Sequence, residues 1–413
     1  MKQKLFHIRA QGNSMFPLLR NGDTVEYLHV PFHVIKLNDI VLMYQSNMFV
    51  THRVIYKTQT SCITRGDNNA SADPPIKKGR IIAKVVRFKR RGAWHSVQDV
   101  YRAQSALYLH EIQKVETILR LYKVPHVFLK GVLISLHYEH TVPQRIYADC
   151  DILVRRSEWS ILQNIFSLLG YTLQDKSLFT KQKDIQHTPE ISYFKEVYKT
   201  LVVFDVHFEP VFLMTQLGGM GLLYPPKPLK HLGEEIITRG KHRMIKGSSY
   251  TMCDDPDQVL YLALHLFHHN YTDSVRYQLL DAVIRRSTTK EMWRALITTI
   301  KEYRLDGYVY LVFVLLKKYY KTPLPSSFIP TITPPPFKKW IAHKIAKRTN
   351  IFSQDTRAKA GITRFILIFL LSPEPMWKKI FLFVHPEVVH TELRLAQSFL
   401  ISHNFLSYKQ IKK

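Results

Sequence analysis

Cysteine is scarce in this chain. Three occur among 413 residues, Cys62, Cys150 and Cys253, far apart and never as a CxxC pair. That argues against a disulfide framework and against a cysteine-built zinc site, and it fits a reducing compartment. Long apolar runs are missing too. No stretch reaches the roughly 18–20 residues that span a bilayer, and the best candidate, FILIFLL at 365–371, is cut off by Ser-Pro-Glu-Pro. The opening MKQKLFHIRAQGNS is basic but has no apolar segment of the signal-peptide kind. The expectation is a soluble, cytoplasmic protein whose apolar and basic C-terminal residues allow peripheral contact with a membrane surface. Acidic residues are the third shortage, 32 against 59 Lys and Arg, for a net charge of +27. Either an anionic partner or a plainly basic, solvated surface accounts for that imbalance. Nucleic acid is allowed as such a partner but is not favoured.

What is present divides into three textures. Residues 1–92 show short alternating or apolar runs (DTVEYLHV, DIVLMYQ, FVTHRVIY, RIIAKVVRF) between Gly, Asn, Asp and Pro turns, with no useful helical period. They predict an all-β region. From Tyr101 to about Tyr122 the period becomes helical, with Ile112, Val115, Leu119 and Tyr122 on one face. Strand, helix, strand, helix and two strands then follow: HVFLKG, GVLISLHYEH, IYADCDILV, SEWSILQNIFSLLG, ISYFKE and TLVVFDVHFEP. After that the pattern is helical, starting at DDPDQVLYLALHLFHH with Asp255 as the expected N-cap and Pro256 in the first turn. Six prolines within 323–336 predict an extended, helix-free connector before the tail. The fold class is a multidomain α+β chain. It comprises a small all-β domain at 1–95, an α+β core at 101–255 and a helical region at 256–413 with the connector near 322–336.

Two constellations carry chemistry. The first is GNSMFPLLRNGD with Ser14, THRV with His52, and RGDNNASAD with Asp67 and Asp73. Taken singly, each has a plain reading as a turn or a surface strand. Together they supply a nucleophile, a base and carboxylates to orient the base. The set resembles the signal peptidase I / LexA-like superfamily of serine peptidases, and within it the archaeal and endoplasmic-reticulum branch that uses histidine. The resemblance covers about residues 5–90. It implies Ser14 as nucleophile, His52 as general base, Asp73 as the orienting carboxylate and Asp67 as a supporting acid. The implied reaction is hydrolysis of a peptide or protein substrate through an acyl-enzyme, with the Ser14 N–H helping to hold the oxyanion. Gly12 stands where many relatives carry a hydroxyl residue. Thirteen residues precede Ser14, where export members of the superfamily carry a membrane helix, so the expected substrate is cytosolic.

The second is FLKGVLISLHYEHTVPQRIYADCDILV, followed at a distance by VVFDVHFEP. Asp149 and Asp151 flank one residue, and strand alternation puts their side chains on one face. With Asp205 on a neighbouring strand they form a candidate Mg²⁺ site facing phosphates. The bare Asp-x-Asp spacing is common at strand ends. In its context it resembles the nucleotidyltransferase superfamily, most closely a bacterial branch, over about 100–290. The resemblance implies an NTP as donor and an acceptor that the sequence does not identify. It implies Gly131 at the nucleotide-binding turn, Lys130 on the triphosphate and Arg145 on a phosphate. It further implies Asp149, Asp151 and Asp205 as metal ligands, with Asp205 also helping to deprotonate the acceptor. Lys-Gly replaces the usual Gly-Gly or Gly-Ser turn, and His207 has no evident role. A histidine cluster, His265, His268 and His269, lacks a nearby acidic or cysteine partner in sequence, so a structural role is favoured over metal binding.

Both together predict a bifunctional enzyme that cuts a peptide and nucleotidylates the product or an associated small molecule, as in maturation of a ribosomal peptide or an envelope component. The alternatives are a LexA-like regulatory module and a scaffold with one or both sites inactive. No helix-turn-helix pattern precedes Ser14, and the position of the LexA lysine base is His52.

Overall fold

The computed structural model describes residues 5–139, 145–173, 190–210, 223–287, 289–354 and 357–384. Eight antiparallel strands form the first sheet: β1 (Leu5–Arg9), β2 (Thr24–Leu28), β3 (Ile40–Gln45), β4 (Met48–Lys57), β5 (Ser61–Arg65), β6 (Ile76–Lys77), β7 (Ile81–Arg90) and β8 (Ala93–Ser96). Their order is β1-β2-β7-β3-β4-β5-β6, with β8 added on β7. The alternating runs of the sequence form these strands because each buries one side. Val25, Tyr27, Leu42, Val85 and Phe88 form one apolar cluster, and Val41, Met43, Val54 and Cys62 form another.

Helix α1 (Val97–Leu121) follows directly, capped by the Ser96 side chain, which accepts from the Asp99 N–H. Its buried face runs Tyr101, Ser105, Tyr108, Ile112, Val115, Leu119, and it joins two cores. Tyr101 packs into the first sheet, while Tyr108 and the residues after it pack into the second. Tyr122, expected on that face, is instead 55% exposed. The chain has already turned there: Lys123 is left-handed (φ 54°) and the Val124 N–H bonds back to Leu119 O at 2.8 Å.

The second sheet is mixed. It contains β9 (His126–Lys130), β10 (Cys150–Val154), β11 (Thr172–Leu173), β12 (Glu190–Val197), β13 (Thr200–His207), β14 (Lys241–Ile245) and β15 (Ser248–Met252), in the order β11-β12-β13-β10-β9-β15-β14. Strand β10 is parallel to β13 and antiparallel to β9. All five residues of β10 are buried, as expected for a central strand covered on both faces. Helices α2 (Val132–Tyr138), α3 (Trp159–Leu168) and α4 (Pro226–Thr238) lie between the strands in sequence.

Among the described residues eight helices follow: α5 (Asp255–His268), α6 (Ser274–Arg286), α7 (Lys290–Glu302), α8 (Asp306–Tyr320), α9 (Phe328–Thr331), α10 (Pro336–Arg348), α11 (Arg357–Leu371) and α12 (Met376–Val384). The buried apolar residues of α5–α11 merge with those of the second sheet, and with Ile55 of β4, into one core. The mixed α+β class and the helical C-terminal region agree with the sequence reading; two further details differ. Asp254, not Asp255, caps α5, accepting from the Asp255 N–H, and Pro256 takes a first-turn position whose missing N–H costs the helix nothing. The proline-rich connector is not helix-free. Phe328 is fully buried between Trp293 and Phe313, and that contact holds the one-turn helix α9, with Pro330 tolerated in its first turn. The apolar run 365–371 is a core-facing stretch of α11, with Leu367, Ile368 and Leu371 buried. Among the described residues no helix is long and apolar enough to cross a membrane.

Candidate active site

Parallel pairing of β10 with β13 sets Asp151 directly opposite Asp205. Asp149 immediately precedes β10, and one ligand atom from each of Asp149, Asp151 and Asp205 lies within 4.8 Å of the other two. The β9–β10 ladder carries a register shift beside Asp151 that places Lys130 opposite it. The Lys130 ammonium stands 3.2 Å from Asp149 Oδ2 and 3.1 Å from Asp151 Oδ2. Gly131 follows at φ 99°, and a Cβ there would sit 3.2 Å from the Asp149 carbonyl oxygen. Glycine thus serves both the backbone conformation and the close approach of the two strands.

The neighbours of the carboxylates are polar and specific. His207 donates from Nε2 to Asp151 Oδ1 at 2.7 Å, and its Nδ1 lies 3.7 Å from Glu190 Oε2. Ser192 donates to Asp205 Oδ1 at 2.6 Å. Burial pushes the Asp205 carboxyl up, helped by the Asp151 and Glu190 charges, to about 6. Burial likewise raises Asp149, with Asp151 adding to it. At Asp151 burial works in the same direction, but Lys130 and His207 outweigh it and hold that carboxyl below its ordinary value. Burial disfavours charge on Lys130, and Asp151 and Asp149 more than offset this, so the ammonium is held charged.

The donor set fits a hard divalent cation. All three groups offer carboxylate oxygens, the ligand type that Mg²⁺ takes. Asp151 Oδ2 is fully buried and faces the Lys130 ammonium, yet no hydrogen-bond donor is aligned on it among the described residues. An ion at this point would satisfy an oxygen that the protein leaves short of partners. A family model described as an uncharacterised nucleotidyltransferase matches residues 82–321, more than half of the chain. The chain belongs to that family. Among curated proteins it has no match.

The nucleotidyltransferase match takes in both strands of the acidic trio, Lys130, Gly131 and the helices through α8. Arg145 is anchored within it, its Nη2 donating to Ser135 Oγ on α2 at 2.7 Å and its guanidinium lying 5.2 Å from the Tyr147 ring centre. At the end of α5 the His265 and His268 rings stack, and His269 packs edge-on against both. Burial and the neighbouring cations, Lys130 and Arg276 among them, hold all three well below the usual histidine range. The acidic trio is the one group with metal-ligand spacing among the described residues. Sequence reasoning missed Ser192 and Glu190, whose only trace in the sequence is the register of the β12–β13 hairpin.

Residues 1–81 lie outside the nucleotidyltransferase match. There His52, on β4, donates from Nδ1 to Asp73 Oδ2 at 2.7 Å, and the same oxygen accepts from Thr64 Oγ1 at 2.6 Å. The Ser14 segment rests on the turn after β5: the Asn68 N–H donates to Ser14 O at 2.8 Å, and a Cβ on Gly66 would lie only 2.6 Å from that oxygen. Asp67, expected as a supporting acid for the base, is engaged elsewhere. It takes a two-pronged bond from Arg53, at 2.7 and 2.6 Å, with the guanidinium over the Tyr101 ring of α1. A fork-shaped guanidinium matches both oxygens of a carboxylate at once, so Asp67 braces the turn against α1.

Proposed function

We propose that the chain transfers a nucleotidyl group from an NTP to an acceptor, using Mg²⁺ held by Asp149, Asp151 and Asp205. The convergence of these three carboxylates on adjacent strands is the observation that carries the reading. Bound there, the ion supplies positive charge against the phosphates. Lys130 adds a second positive charge from the same wall of the site. The acceptor oxygen forms a bond to the α-phosphorus, the bond from that phosphorus to the β-phosphate bridging oxygen breaks, and pyrophosphate leaves with the electron pair. Asp205, ionised when it would hold the ion, offers a carboxylate oxygen to take the acceptor proton. His207 and Ser192 hold the two carboxylates in place during this step. The test is labelling of cell extract with each α-³²P NTP, Mg²⁺ and the protein, with Asp149→Asn as control. Label that depends on NTP and is lost in the control supports transfer; no label from any NTP rejects it.

A second activity is supported by a separate observation. The His52–Asp73 pair, with Thr64 donating to the same Asp73 oxygen, has the carboxylate partner of a serine peptidase base. The reading is a peptidase-type site for a peptide or protein substrate on the same chain as the transferase. A fluorophosphonate probe distinguishes this from a scaffold role: labelling of the wild type, and none of Ser14→Ala, supports a nucleophile, and an unlabelled wild type rejects it.

A further inference from the structure

The loop 66–73 joins the partners of the peptidase-type site. Near its start the Asn68 N–H donates to Ser14 O at 2.8 Å, and the Asn68 side chain donates to Asn13 O at 3.3 Å. At its end the Asp73 carboxylate accepts from His52 and Thr64, and the Asp73 N–H donates to Thr64 O at 2.8 Å. The loop residues are small and polar, and none of residues 67–75 is buried. No large apolar side chain seats the loop in a core, so its course depends on hydrogen bonds.

Two of those bonds come from a distant part of the chain. The Ala72 N–H donates to Ser353 Oγ at 3.1 Å, and the Gln354 N–H donates to Ala70 O at 2.6 Å. The corner 350–354 lies between α10 and α11 and is itself firmly held. Ile351 and Phe352 are buried, and the Phe352 ring packs 5.0 Å from Tyr56 of β4 and 5.5 Å from Tyr319 of α8. Ser353 O accepts from the Asp273 N–H at the start of α6, and Phe352 O accepts from Arg65 Nη1 at 3.0 Å. Asn350 donates from Nδ2 to Ser353 Oγ at 3.1 Å and accepts from the Phe352 N–H at 3.0 Å. The Ser353 oxygen thus uses both lone pairs, one on Asn350 and one on the loop. The loop and the corner both lie outside the part of the chain that matches the nucleotidyltransferase family.

We infer that Ser353 is a positioning residue for the His52–Asp73 pair: by fixing Ala72, while Gln354 fixes Ala70, it places the carboxylate that orients the base. The inference rests on the peptidase-type reading and extends that site to a residue 281 positions from the loop. A histidine serves a nucleophilic serine only when the carboxylate holds its ring in the right tautomer and orientation. Asp73 directly follows Ala72, so a displacement of Ala72 reaches it through one rigid peptide plane. A misplacement of about 1 Å slows a reaction about 100-fold. One neutral hydrogen bond contributes far less to the stability of the whole fold. Loss of the Ser353 hydroxyl is therefore felt at the base before it is felt in stability.

The full-length protein is labelled with a fluorophosphonate probe, and the His52 Nδ1 proton is followed by NMR of ¹⁵N-histidine protein. Ser353→Ala is expected to label about three- to tenfold more slowly than wild type, with that proton signal shifted or lost and the thermal midpoint little changed. Ser353→Thr keeps a hydroxyl and is expected to restore most of the rate. Phe328→Ala weakens the fold away from the loop and is expected to label at the wild-type rate below its midpoint. Asn350→Ala removes the brace on the Ser353 hydroxyl and replaces Ser353→Ala if the latter does not fold. Labelling of Ser353→Ala within about twofold of wild type overturns the inference, and so does Ser353→Thr no faster than Ser353→Ala. An equal loss of rate in Phe328→Ala also overturns it, since general loosening is then the cause. A wild type that the probe does not label removes the peptidase reading. The Nδ1 proton then decides the inference, which is overturned if Ser353→Ala shows the wild-type signal and upheld if the signal is lost.

Discussion

His207 holds one oxygen of Asp151 at 2.7 Å and leaves the other turned toward Lys130 and the remaining carboxylates. Each oxygen of Asp151 therefore has one task. Outer residues that orient a metal ligand are worth about 10–100-fold in metal affinity. His207→Gln is expected to lower Mg²⁺ or Mn²⁺ affinity by that factor while the circular dichroism spectrum stays that of the wild type. Unchanged affinity would show that the contact has no part in shaping the site.

Asp205 makes the stability of the metal-free protein depend on pH. Its carboxyl is raised to about 6 in the folded chain, against about 3.9 in an unfolded one. Between these values the folded protein keeps a proton that the unfolded chain releases. Its contribution is full below about pH 4 and is lost as pH rises through about 6. Thermal midpoints in EDTA should therefore fall over that window more steeply for wild type than for Asp205→Asn. Mg²⁺ binding needs the ionised carboxyl and should strengthen as pH rises through the same window. Parallel midpoint curves for the two proteins would contradict this account.

Gly131→Ala tests the approach of the two strands. The added Cβ meets the Asp149 carbonyl oxygen at 3.2 Å in a backbone conformation that L residues rarely adopt. The expected cost is about 1–3 kcal/mol in chemical denaturation. Because the clash falls on the backbone of a trio member, Mg²⁺ affinity should drop as well. Loss of stability with full affinity would place the strain elsewhere.

Phe328→Ala removes the aromatic ring that fixes the proline-rich segment. A fully buried phenylalanine replaced in this way costs about 3–5 kcal/mol. A urea midpoint equal to wild type would mean that Trp293 and Phe313 do not depend on it.

Much of the candidate site was legible because its signals are local. Asp149 and Asp151 lie one residue apart, and Asp205 stands in an unmistakable strand. Ser192 and Glu190 were hidden because their roles depend on hairpin register. The β12–β13 loop is Tyr198-Lys199, both left-handed, and counting back from it pairs Ser192 with Asp205 and Glu190 with His207. A Tyr-Lys turn carries none of the Asn-Gly or Asp-Gly signature that would have announced it. Ser353 was hidden for a different reason. Its partner, Ala72, is 281 residues away, and no periodicity reports a contact at such range. Tyr122 was misplaced because the helical period continues on paper past Leu121, where the helix ends and Lys123 then turns the backbone. The connector was misread because proline counts are local, whereas the burial of Phe328 is a property of the finished core.

The parallel β10–β13 pair also fixes when the acidic trio comes into being. Asp151 and Asp205 face each other although they lie 54 positions apart in sequence. A parallel pair cannot form through a tight turn, and the long closure must be made before the contact returns any energy. The complete set of three carboxylates therefore exists only in a chain whose β10–β13 pair has formed.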